Sequence, residues 1–367
     1  MGVVRRLLIK AGDQAYPLYL GTGLLARTGE ILKENGLNGK ILVVTNKTVA
    51  PLYLAVVEEG LRRAGFAVAT VILPDGENYK RLAELVRVFD AAVASRLERD
   101  SAILALGGGV IGDLAGFAAA TYLRGIRLVQ VPTTLLAQVD SSIGGKVAVN
   151  HREGKNLIGA FHQPAAVISD LETLATLDRR EFNTGLAEII KAGLIGDAEL
   201  DCFLRREQKA VKERQISALV EIIQRACAFK ARIVSLDVRE QGLRAILNYG
   251  HTIGHALEAE TGYTFYRHGE AVAVGMAGAA ALSVELGLAS PDLFQMTREL
   301  LQAYDLPTTI PGLPAGKLVD RMTLDKKVKA GKIRFILSPG LGQALIKEDV
   351  PAETLLQVLY RLGAIEG

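Results

Sequence analysis

Three of the chain's five histidines, His251, His255 and His268, fall within one segment of eighteen residues. His251 and His255 are four apart, so on a helix both imidazoles project from one face. His268 follows a glycine-containing turn at residues 260–263, which can fold it back toward that face. Imidazole is a common zinc ligand, and a catalytic zinc typically takes three protein ligands and keeps one position open. The pattern therefore indicates a zinc site completed by an acidic residue from another helix.

The alternative is two hydrogen-bonded helix histidines and one surface histidine. The spacing does not favour a zinc peptidase, because the HxxxH pair lacks the glutamate of the HExxH signature. An acidic ligand is available in the apolar helix GLAEIIK, where Glu188 and Lys191 are three residues apart on one face. This pair is either an i,i+3 salt bridge or the missing carboxylate with a nearby cation.

Further polar residues lie on both sides of the histidine cluster. Lys230, Arg244 and Asn248 lead into it, and the basic run that begins at Lys326 and Lys327 follows later in the chain. Such a run is more often solvated than functional, although one of its lysines could reach a pocket.

A glycine-rich turn is the strongest local signal in the first half of the chain. The segment SAILALGGGVIGDLAG, residues 101–116, reads as a buried strand that enters Gly107, Gly108 and Gly109 and then a helix near Gly112 and Asp113. Glycines let backbone N–H groups approach a pyrophosphate, and a helix N-terminus favours its negative charge. The spacing is not GxGxxG, and a tight strand-to-helix turn without a ligand is the alternative interpretation.

Two more segments follow predicted strands. The sequence DGENYK, residues 75–80, is either a solvated turn or part of a ligand site at the carboxyl end of a parallel strand. Residues 131–156 are polar and glycine-rich, and their length predicts a functional loop. Its hydroxyls and cations suit phosphate or hydroxyl-rich ligands and include Asp140, Ser141, Ser142, Lys146, Lys155 and Asn156.

Hydrophobic periodicity divides the chain near residue 178. Before it, short apolar strands (41–45, 67–73, 101–106, 127–131, 167–170) alternate with helices (51–64, 80–95), and a hairpin at about 7–20 is expected at the sheet edge. This predicts an α/β class with a mostly parallel sheet covered on both faces. After it the pattern is helical (181–195, 199–208, 217–235, 250–261, 270–286, 293–304), with one late hairpin at 333–337 and 344–347. We expect a nucleotide-binding domain over 1–178 and an α-helical domain over 179–367.

Composition narrows the class of partner. The net charge of +3 and 5% aromatic residues do not indicate nucleic-acid binding, whereas phosphate-bearing small molecules need only a local group of cations. The longest apolar run, residues 271–282, is short of the roughly twenty that cross a membrane. The first residues lack the apolar core of a signal peptide. Cys202 and Cys227 are expected to be buried, reduced thiols, so the expected location is cytoplasmic.

Taken together, the segments resemble the 3-dehydroquinate synthase family over nearly the whole chain. The motifs and their order carry this resemblance: DGExxK, GGGVIGD, PTT, DSSIGGK, GKNLIGAF, GLAEIIK, GLR, LNYGHTIGH, HGEAVAVGM and DKK. Departures are small: Val147-Ala148 where Thr-Gly or Thr-Ala is expected, and Val238 where an acid is common. The resemblance implies a Rossmann-like nucleotide-binding domain, a helical C-terminal domain, and an active site between them.

The resemblance also implies roles residue by residue. Glu188, His251 and His268 match the metal ligands for Zn²⁺, with Co²⁺ as a possible substitute, so that His255 faces substrate and is not a ligand. The NAD site would comprise Asp75, Gly76, Glu77, Lys80, Gly108, Gly109, Val110, Ile111, Gly112, Asp113, Thr133, Thr134, Lys146, Lys155, Thr173, Leu174 and Thr176. The residues expected to contact the substrate are Arg124, Asp140, Lys146, Asn156, Lys191, Lys230, Arg244, Asn248, His255 and either Lys326 or Lys327.

The implied reaction is a redox-neutral cyclisation. The substrate is the sugar phosphate 3-deoxy-D-arabino-heptulosonate 7-phosphate, which loses phosphate by β-elimination after transient oxidation at C5 and closes to 3-dehydroquinate by an aldol step after re-reduction. The resemblance suggests a homodimer with no membrane or nucleic-acid partner, although the residues alone do not fix the oligomeric state. The alternatives are a paralogous sugar-phosphate cyclase, a metal-dependent NAD alcohol or glycerol-phosphate dehydrogenase, and a nucleotide-binding regulatory module without catalysis.

Overall fold

The computed structural model describes residues 4–324 and 333–366, which form two compact units. The first unit holds residues 1–177 and 231–239, and the second holds 178–230 and 240–367. The sequence analysis did not predict that residues 231–239 belong to the first unit. It placed a single boundary near residue 178, and the hydrophobic periodicity predicts one uninterrupted helix over residues 217–235.

The first unit contains a seven-stranded sheet with the strand order β1-β2-β9-β6-β5-β3-β4. The strands β1 and β2 pair antiparallel at one edge, and every other neighbouring pair is parallel, which confirms the predicted sheet and the edge hairpin. Their bounds are β1 Val4–Ala11, β2 Gln14–Gly21, β3 Ile41–Asn46, β4 Val68–Leu73, β5 Ala102–Gly107, β6 Arg127–Pro132 and β9 Ala166–Asp170.

Both faces of this sheet are covered by helices. Along β5, Ile103 and Ala105 face one apolar core and Leu104 and Leu106 face another, as the two-residue period of a strand requires. The first core includes residues of α3 and α4, and the second includes residues of α1 and α2. The helices are α1 Thr28–Glu34, α2 Ala55–Arg63, α3 Leu82–Ala94 and α4 Gly109–Thr121.

The expectation of a long loop over residues 131–156 was wrong. A short π-helical turn, Ala137–Ser141, is followed by an antiparallel hairpin made of β7 Lys146–His151 and β8 Gly154–Phe161. Val147 and Val149 are buried in the same core as α4, and this apolar packing makes the hairpin regular. The glycine and polar residues around it concealed the alternation. Likewise, α4 begins at Gly109 and not near Gly112.

The second unit is helical, as predicted. Its helices are α5 Arg179–Gly196, α6 Ala198–Arg206, α7 Gln208–Lys212, α8 Ile216–Leu236 (whose last residues belong to the first unit), α9 His251–Glu260, α10 His268–Glu285, α11 Asp292–Ala303, α12 Ala315–Leu324 and α13 Ala352–Arg361. The expected late hairpin is β10 Phe335–Leu337 with β11 Leu345–Lys347. The sequence analysis did not identify α12 or α13.

Helix α10 is the centre of this unit. It is buried from Ala271 to Ser283 and contacts α5, α9, α11 and α13, so the apolar run that is too short for a membrane forms a core helix. Of the described helices, none has the length and apolar character to span a bilayer. Cys227 is buried as expected, but Cys202 is exposed on α6, where it lies on the solvent side of an amphipathic helix.

Close packing of α9 against α10 depends on glycine. A Cβ atom added to Gly275 would lie 1.8 Å from the carbonyl oxygen of Gly250, which precedes α9 and has a left-handed φ of 79°. No side chain fits at this contact, so the two helices approach until their backbones touch. Each of these helices begins with a histidine, His251 on α9 and His268 on α10.

We therefore expect Gly275→Ala to lower the free energy of unfolding by about 3 kcal/mol, the upper end of the range for overpacked cores. Gly278→Ala on the same helix is the control, because its added Cβ meets the flexible Cδ1 of Ile253 and not a backbone atom. Chemical denaturation of both variants tests the contact. Equal stability of the two variants would show that the backbone approach is not limiting.

Candidate metal centre and nucleotide site

Glu188 lies at the centre of the second unit's polar cluster. Its side chain is 3% exposed, and its Oε1 lies 3.7 Å from Nε2 of His251 and 3.7 Å from Nε2 of His268. The possible ligand atoms of these three residues all lie within 4.8 Å of one another. The structure thus brings together three residues that are separated by up to eighty positions in the sequence.

Two helix starts and the middle of a third helix position these side chains. Helix α5 begins after Asp178, whose carboxylate accepts the N–H of Arg180 as an N-cap, and it carries Glu188 in its buried middle. Glu270 accepts the backbone N–H of Arg267 at 2.8 Å in a capping box and so fixes the first turn of α10, where His268 lies. The same carboxylate receives two hydrogen bonds from Arg180, at 2.5 and 2.6 Å. This bidentate pair joins the start of α5 to the start of α10.

Hydrogen bonds identify which imidazole nitrogen is available. Nδ1 of His251 lies 3.1 Å from the carbonyl oxygen of Tyr249, and Nδ1 of His268 lies 3.3 Å from Oε2 of Glu258. Both partners are acceptors, so the neutral tautomer that satisfies these two contacts has its proton on Nδ1 and its lone pair on Nε2. Both Nε2 atoms face Glu188.

The donor set fits a divalent metal. Lys191 donates to Oε2 of Glu188, whereas Oε1, among the described residues, has no hydrogen-bond partner. In a tetrahedral zinc site with bonds of about 2.0–2.1 Å, two ligand atoms lie roughly 3.3 Å apart. The distance of 3.7 Å from Oε1 of Glu188 to each Nε2 would therefore have to shorten only slightly. A buried carboxylate oxygen without a donor beside two imidazole lone pairs is the environment that a metal ion completes.

The other expected substrate contacts described in this unit lie in three places. His255 is half-buried, with its ring centroid 5.4 Å from that of His251 and 6.2 Å from that of His268. Arg244 is buried and Asn248 half-buried in the 3₁₀ turn Leu243–Asn248 before α9, and Lys230 is buried on α8. Lys326 and Lys327 lie outside the described residues.

In the first unit, most of the expected nucleotide residues follow the carboxyl ends of β9, β6, β5 and β4, which with β3 form a run of five adjacent parallel strands. Open α/β sheets bind ligands at this edge, where the strand order reverses. Here the chain adds β4 on one side of β3 and β5 on the other. The residues so placed are Asp75 to Lys80 after β4, Gly108 to Asp113 after β5, Thr133 and Thr134 after β6, and Thr173 to Thr176 after β9.

The first turn of α4 has the form of a phosphate cradle. Within the described residues, the N-cap Gly108 provides no side-chain cap, so the first N–H groups of the helix remain available to an anion. A Cβ atom at Gly109 would lie 3.1 Å from Oγ of Ser141, and one at Gly108 would lie 3.1 Å from Cγ2 of Thr134. The residues present therefore fit the pyrophosphate of a dinucleotide.

Two separate groups of hydrogen bonds hold several of the expected NAD residues. Asp75 accepts from Asn46 at 2.7 Å and from Thr48 at 2.6 Å, two residues at the end of β3 that the sequence analysis missed. Polar residues at the end of the neighbouring parallel strand would have been the signal. Thr173 accepts from Gln138 at 3.2 Å, and Thr176 lies against the hydroxyl of Tyr53.

Among the other expected residues, Lys146 and Arg124 are exposed, Asp140 is half-buried in the π-helical turn, and Lys155 is half-buried in the hairpin.

Lys80 is a buried cation at the centre of a third group of hydrogen bonds. Its Nζ donates to Asp113 at 2.6 Å and to Oδ1 of Asn156 at 2.5 Å. Burial raises the pKa of the Asp113 carboxyl, and the ion pair with Lys80 only partly opposes the rise. Asn150 holds two further expected residues, because its amide donates to Glu77 at 2.8 Å and its Oδ1 accepts the N–H of Asn156 at 2.9 Å.

Comparison with solved structures defines the class first. The structure matches 2-deoxy-scyllo-inosose synthase in complex with carbaglucose-6-phosphate, NAD⁺ and Co²⁺, with a TM-score of 0.90 and 26% identity over 97% of this chain and 100% of that one. It also matches 2-epi-5-epi-valiolone synthase from Streptomyces hygroscopicus with NAD⁺ and Zn²⁺ bound, with a TM-score of 0.87 and 29% identity over 95% and 96%. A butanol dehydrogenase from Thermotoga maritima, 17% identical with a TM-score of 0.67 over 95% and 96%, shares the fold. The chain therefore has the architecture of the sugar-phosphate cyclases.

Sequence comparison then identifies the family. The sequence model of the 3-dehydroquinate synthase N-terminal family matches residues 70–184, and that of the C-terminal family matches residues 185–328. The 3-dehydroquinate synthase of Desulforamulus reducens is 48% identical over 98% of this chain and 99% of that relative. That of Microcystis aeruginosa is 49% identical over 95% of each. The chain belongs to the 3-dehydroquinate synthase family.

The metal centre gives a direct prediction. His251→Ala should weaken Zn²⁺ binding by more than about 100-fold. Removing a residue that only hydrogen-bonds to a metal ligand typically costs 10–100-fold, and loss of the ligand itself should cost more. Metal retained after dialysis against a graded chelator measures the effect. His151→Ala, which removes an exposed histidine of the β7–β8 hairpin, is the control. Wild-type zinc retention in His251→Ala would contradict the assignment.

The Lys80–Asp113 pair gives a pH prediction. Lys80→Met leaves a buried carboxylate without its cation, which should cost about 3–5 kcal/mol of unfolding free energy at neutral pH. The folded pKa of Asp113 is raised, so its ionisation destabilises the fold as pH rises. The loss should therefore be larger at pH 8 than at pH 5, as measured by denaturation of variant and wild type at each pH. The double variant with Asp113→Asn should recover most of the loss at pH 8, and a pH-independent loss would refute the assignment.

Proposed function

We propose that this chain converts 3-deoxy-D-arabino-heptulosonate 7-phosphate into 3-dehydroquinate and phosphate, as its family does. One observation of the structure carries the proposal. Oε1 of Glu188 is buried, is without a donor among the described residues, and faces Nε2 of both His251 and His268. The identity of 46–49% to 3-dehydroquinate synthases over nearly full length supports the assignment of this reaction to the metal group.

The cofactors are NAD and a divalent metal. Two solved relatives bind NAD⁺ together with Co²⁺ or Zn²⁺, and the residues of this chain fit both groups. When bound, the metal would polarise a substrate hydroxyl and NAD would accept and return one hydride. This chemistry would let phosphate leave between two opposite redox steps, before the ring opens and closes again by an aldol reaction. We assign NAD binding to the first unit and metal binding to the second.

In the second unit, we assign Lys191 and His255 to the reacting end of the substrate. Lys191 is 5% exposed and its cation neutralises Oε2 of Glu188, which leaves its other two N–H donors for substrate oxygens. His255 is half-buried beside the metal group, where its imidazole can donate or accept a proton at a substrate oxygen. Arg244, buried next to α9, supplies a planar cation for the substrate carboxylate or phosphate.

Hydrogen bonds orient the two asparagines proposed to bind substrate. Oδ1 of Asn156 accepts from Lys80, so its Nδ2 is left to donate to a phosphate or hydroxyl. Nδ2 of Asn248 donates to Glu240 at 2.9 Å, so its Oδ1 is left to accept from a substrate hydroxyl. We further assign Arg124, Asp140, Lys146, Lys230 and one of Lys326 and Lys327 to the substrate.

Two further proposals concern the protein in the cell. We place the reaction in the cytoplasm, which agrees with two cysteines that form no disulfide. We also propose a homodimer, the assembly implied by the resemblance described above, which sedimentation or light scattering would test.

The second candidate function is that of a paralogous cyclase, since the structures that match at TM-scores of 0.87–0.90 act in that class. Their identity of 26–29% is well below the 46–49% of the dehydroquinate synthases, which favours the first candidate. A screen of phosphate release from the heptulosonate phosphate, a sugar 7-phosphate and glucose 6-phosphate separates the candidates. Release from the first substrate alone is the expected result.

Redox neutrality gives a prediction that a dehydrogenase does not share. Catalytic amounts of NAD should support many turnovers, with one phosphate released for each product and no net gain in NADH absorbance. Deuterium placed at C5 of the substrate should remain at the same carbon of the product, because each hydride returns to the carbon that lost it. NADH that accumulates in proportion to product would replace this proposal by a dehydrogenase, and the same mixture without substrate is the control.

A further inference from the structure

His268 lies between two carboxylates. Its Nε2 is 3.7 Å from Oε1 of Glu188, and its Nδ1 is 3.3 Å from Oε2 of Glu258. Glu188 belongs to the proposed metal group, whereas the sequence analysis gave no role to Glu258. Both carboxylates are buried, with side chains 3% and 7% exposed.

The hydrogen bond to Glu258 determines what His268 can offer to a metal. A neutral imidazole has one N–H and one lone pair, and either nitrogen can carry the proton. The carboxylate of Glu258 accepts, so the proton stays on Nδ1 and the lone pair on Nε2 faces Glu188. Without that acceptor, the imidazole has nothing at this contact to favour this tautomer or this ring orientation.

The surroundings of the two residues show which one directs the other. The side chain of His268 is 31% exposed at the first position of α10, whereas that of Glu258 is 7% exposed. Glu258 is buried on α9, seven residues after His251, and therefore on the same face as that histidine. Helix α9 thus supplies one ligand directly and controls the orientation of the next.

We propose that Glu258 is a positioning residue of the metal centre, which holds His268 in the Nδ1-protonated tautomer with Nε2 directed to the metal. The inference rests on the proposed function, because it assumes that Glu188, His251 and His268 bind the ion. Metal-bound histidines generally donate their second N–H to such an outer partner, whose loss costs 10–100-fold in affinity or activity.

A second use of the same residues is a separate metal site. Possible ligand atoms of His255, Glu258 and His268 also lie within 4.8 Å of one another. A metal there would take the lone pair of Nδ1 and displace the proton that Glu258 accepts, so the two uses exclude each other while His268 is neutral. Oε1 of Glu188, which has no donor among the described residues, favours a single ion on the Nε2 side.

The test measures metal binding by the whole protein, independently of turnover. Metal-free protein is titrated with Zn²⁺ against a chelating indicator, and with Co²⁺ while the visible spectrum, which reports the coordination geometry, is recorded. The variants are Glu258→Ala, Glu258→Gln and, as the matched control, Glu260→Gln. Glu260 lies on the same helix and loses the same charge, but it pairs with Arg321 at 3.0 Å and not with a histidine.

We expect one Zn²⁺ per chain in the wild type, a Kd raised 10–100-fold in Glu258→Ala, and an altered Co²⁺ spectrum in that variant. Glu258→Gln keeps an acceptor oxygen for Nδ1 and should recover most of the affinity, whereas Glu260→Gln should remain within about twofold of the wild type. A role in folding alone would lower stability in the Glu258 variants and leave Kd and spectrum unchanged.

Three results would overturn the inference, and they differ from failure of the proposed function. Wild-type Kd in Glu258→Ala, or equal losses in Glu258→Gln and Glu258→Ala, would remove the positioning role. Two equivalents of Zn²⁺ in the wild type with one lost in Glu258→Ala would assign Glu258 to a second metal site. If the wild type binds no metal, or His268→Ala binds it normally, the proposed metal centre itself is wrong.

Discussion

The second unit depends on how one buried carboxylate, that of Glu188, is neutralised. A charge removed from water is costly unless it is paired and hydrogen-bonded. Lys191 satisfies one oxygen, and the other faces two imidazole nitrogens without a donor among the described residues. An unsatisfied buried acceptor costs about 1–3 kcal/mol, so an ion bound there supplies both charge and coordination. Metal binding should therefore stabilise the fold as well as enable the reaction.

Helix packing makes this arrangement possible. Glu188, His251 and His268 come from α5, α9 and α10, and the last two helices touch at the backbone through Gly250 and Gly275. The Arg180–Glu270 pair joins the starts of α5 and α10, and the contact from Glu258 to His268 joins α9 to α10. The starts of α9 and α10 thus place the two histidines, and the middle of α5 places Glu188, so a small change in helix packing would move a proposed ligand atom.

In the first unit, the parallel sheet determines where the polar residues of the expected nucleotide site lie. Most residues of this site follow the carboxyl ends of parallel strands, so short turns carry them and the sheet determines their spacing. Lys80 connects two of these segments with the β7–β8 hairpin through Asp113 and Asn156. A buried lysine with two acceptors orients both partners, and it fixes which atom of Asn156 is left to donate.

Sequence predicts the parts of the structure that periodicity or local spacing determine. Strands such as β3 and β5 are continuous apolar runs, and their parallel order follows from alternation with helices. The β7–β8 hairpin escaped because glycines interrupt its pattern and its apolar face is short. The return of residues 231–239 to the first unit depends on tertiary contacts that no local signal carries.

The same distinction applies to the metal centre. Spacing suggested His251 and His255 as a pair, with His268 folded back toward them and Glu188 as an available carboxylate. Only the family resemblance removed His255 from the ligand set, because ligands on different helices have no fixed separation. Residue spacing could have predicted that Glu258 lies near the metal centre, since it follows His251 by seven residues and so shares its helical face. An acid at that position, next to two histidines, indicates an outer partner.

The most direct test of the account is to locate the bound metal. Crystals of the protein grown with Zn²⁺ and measured on both sides of the zinc absorption edge give an anomalous peak for each ion. The account predicts one peak per chain, about 2.0–2.2 Å from Oε1 of Glu188 and from Nε2 of His251 and His268. A peak bound by His255 and Glu258, or the absence of any peak at Glu188, would contradict it.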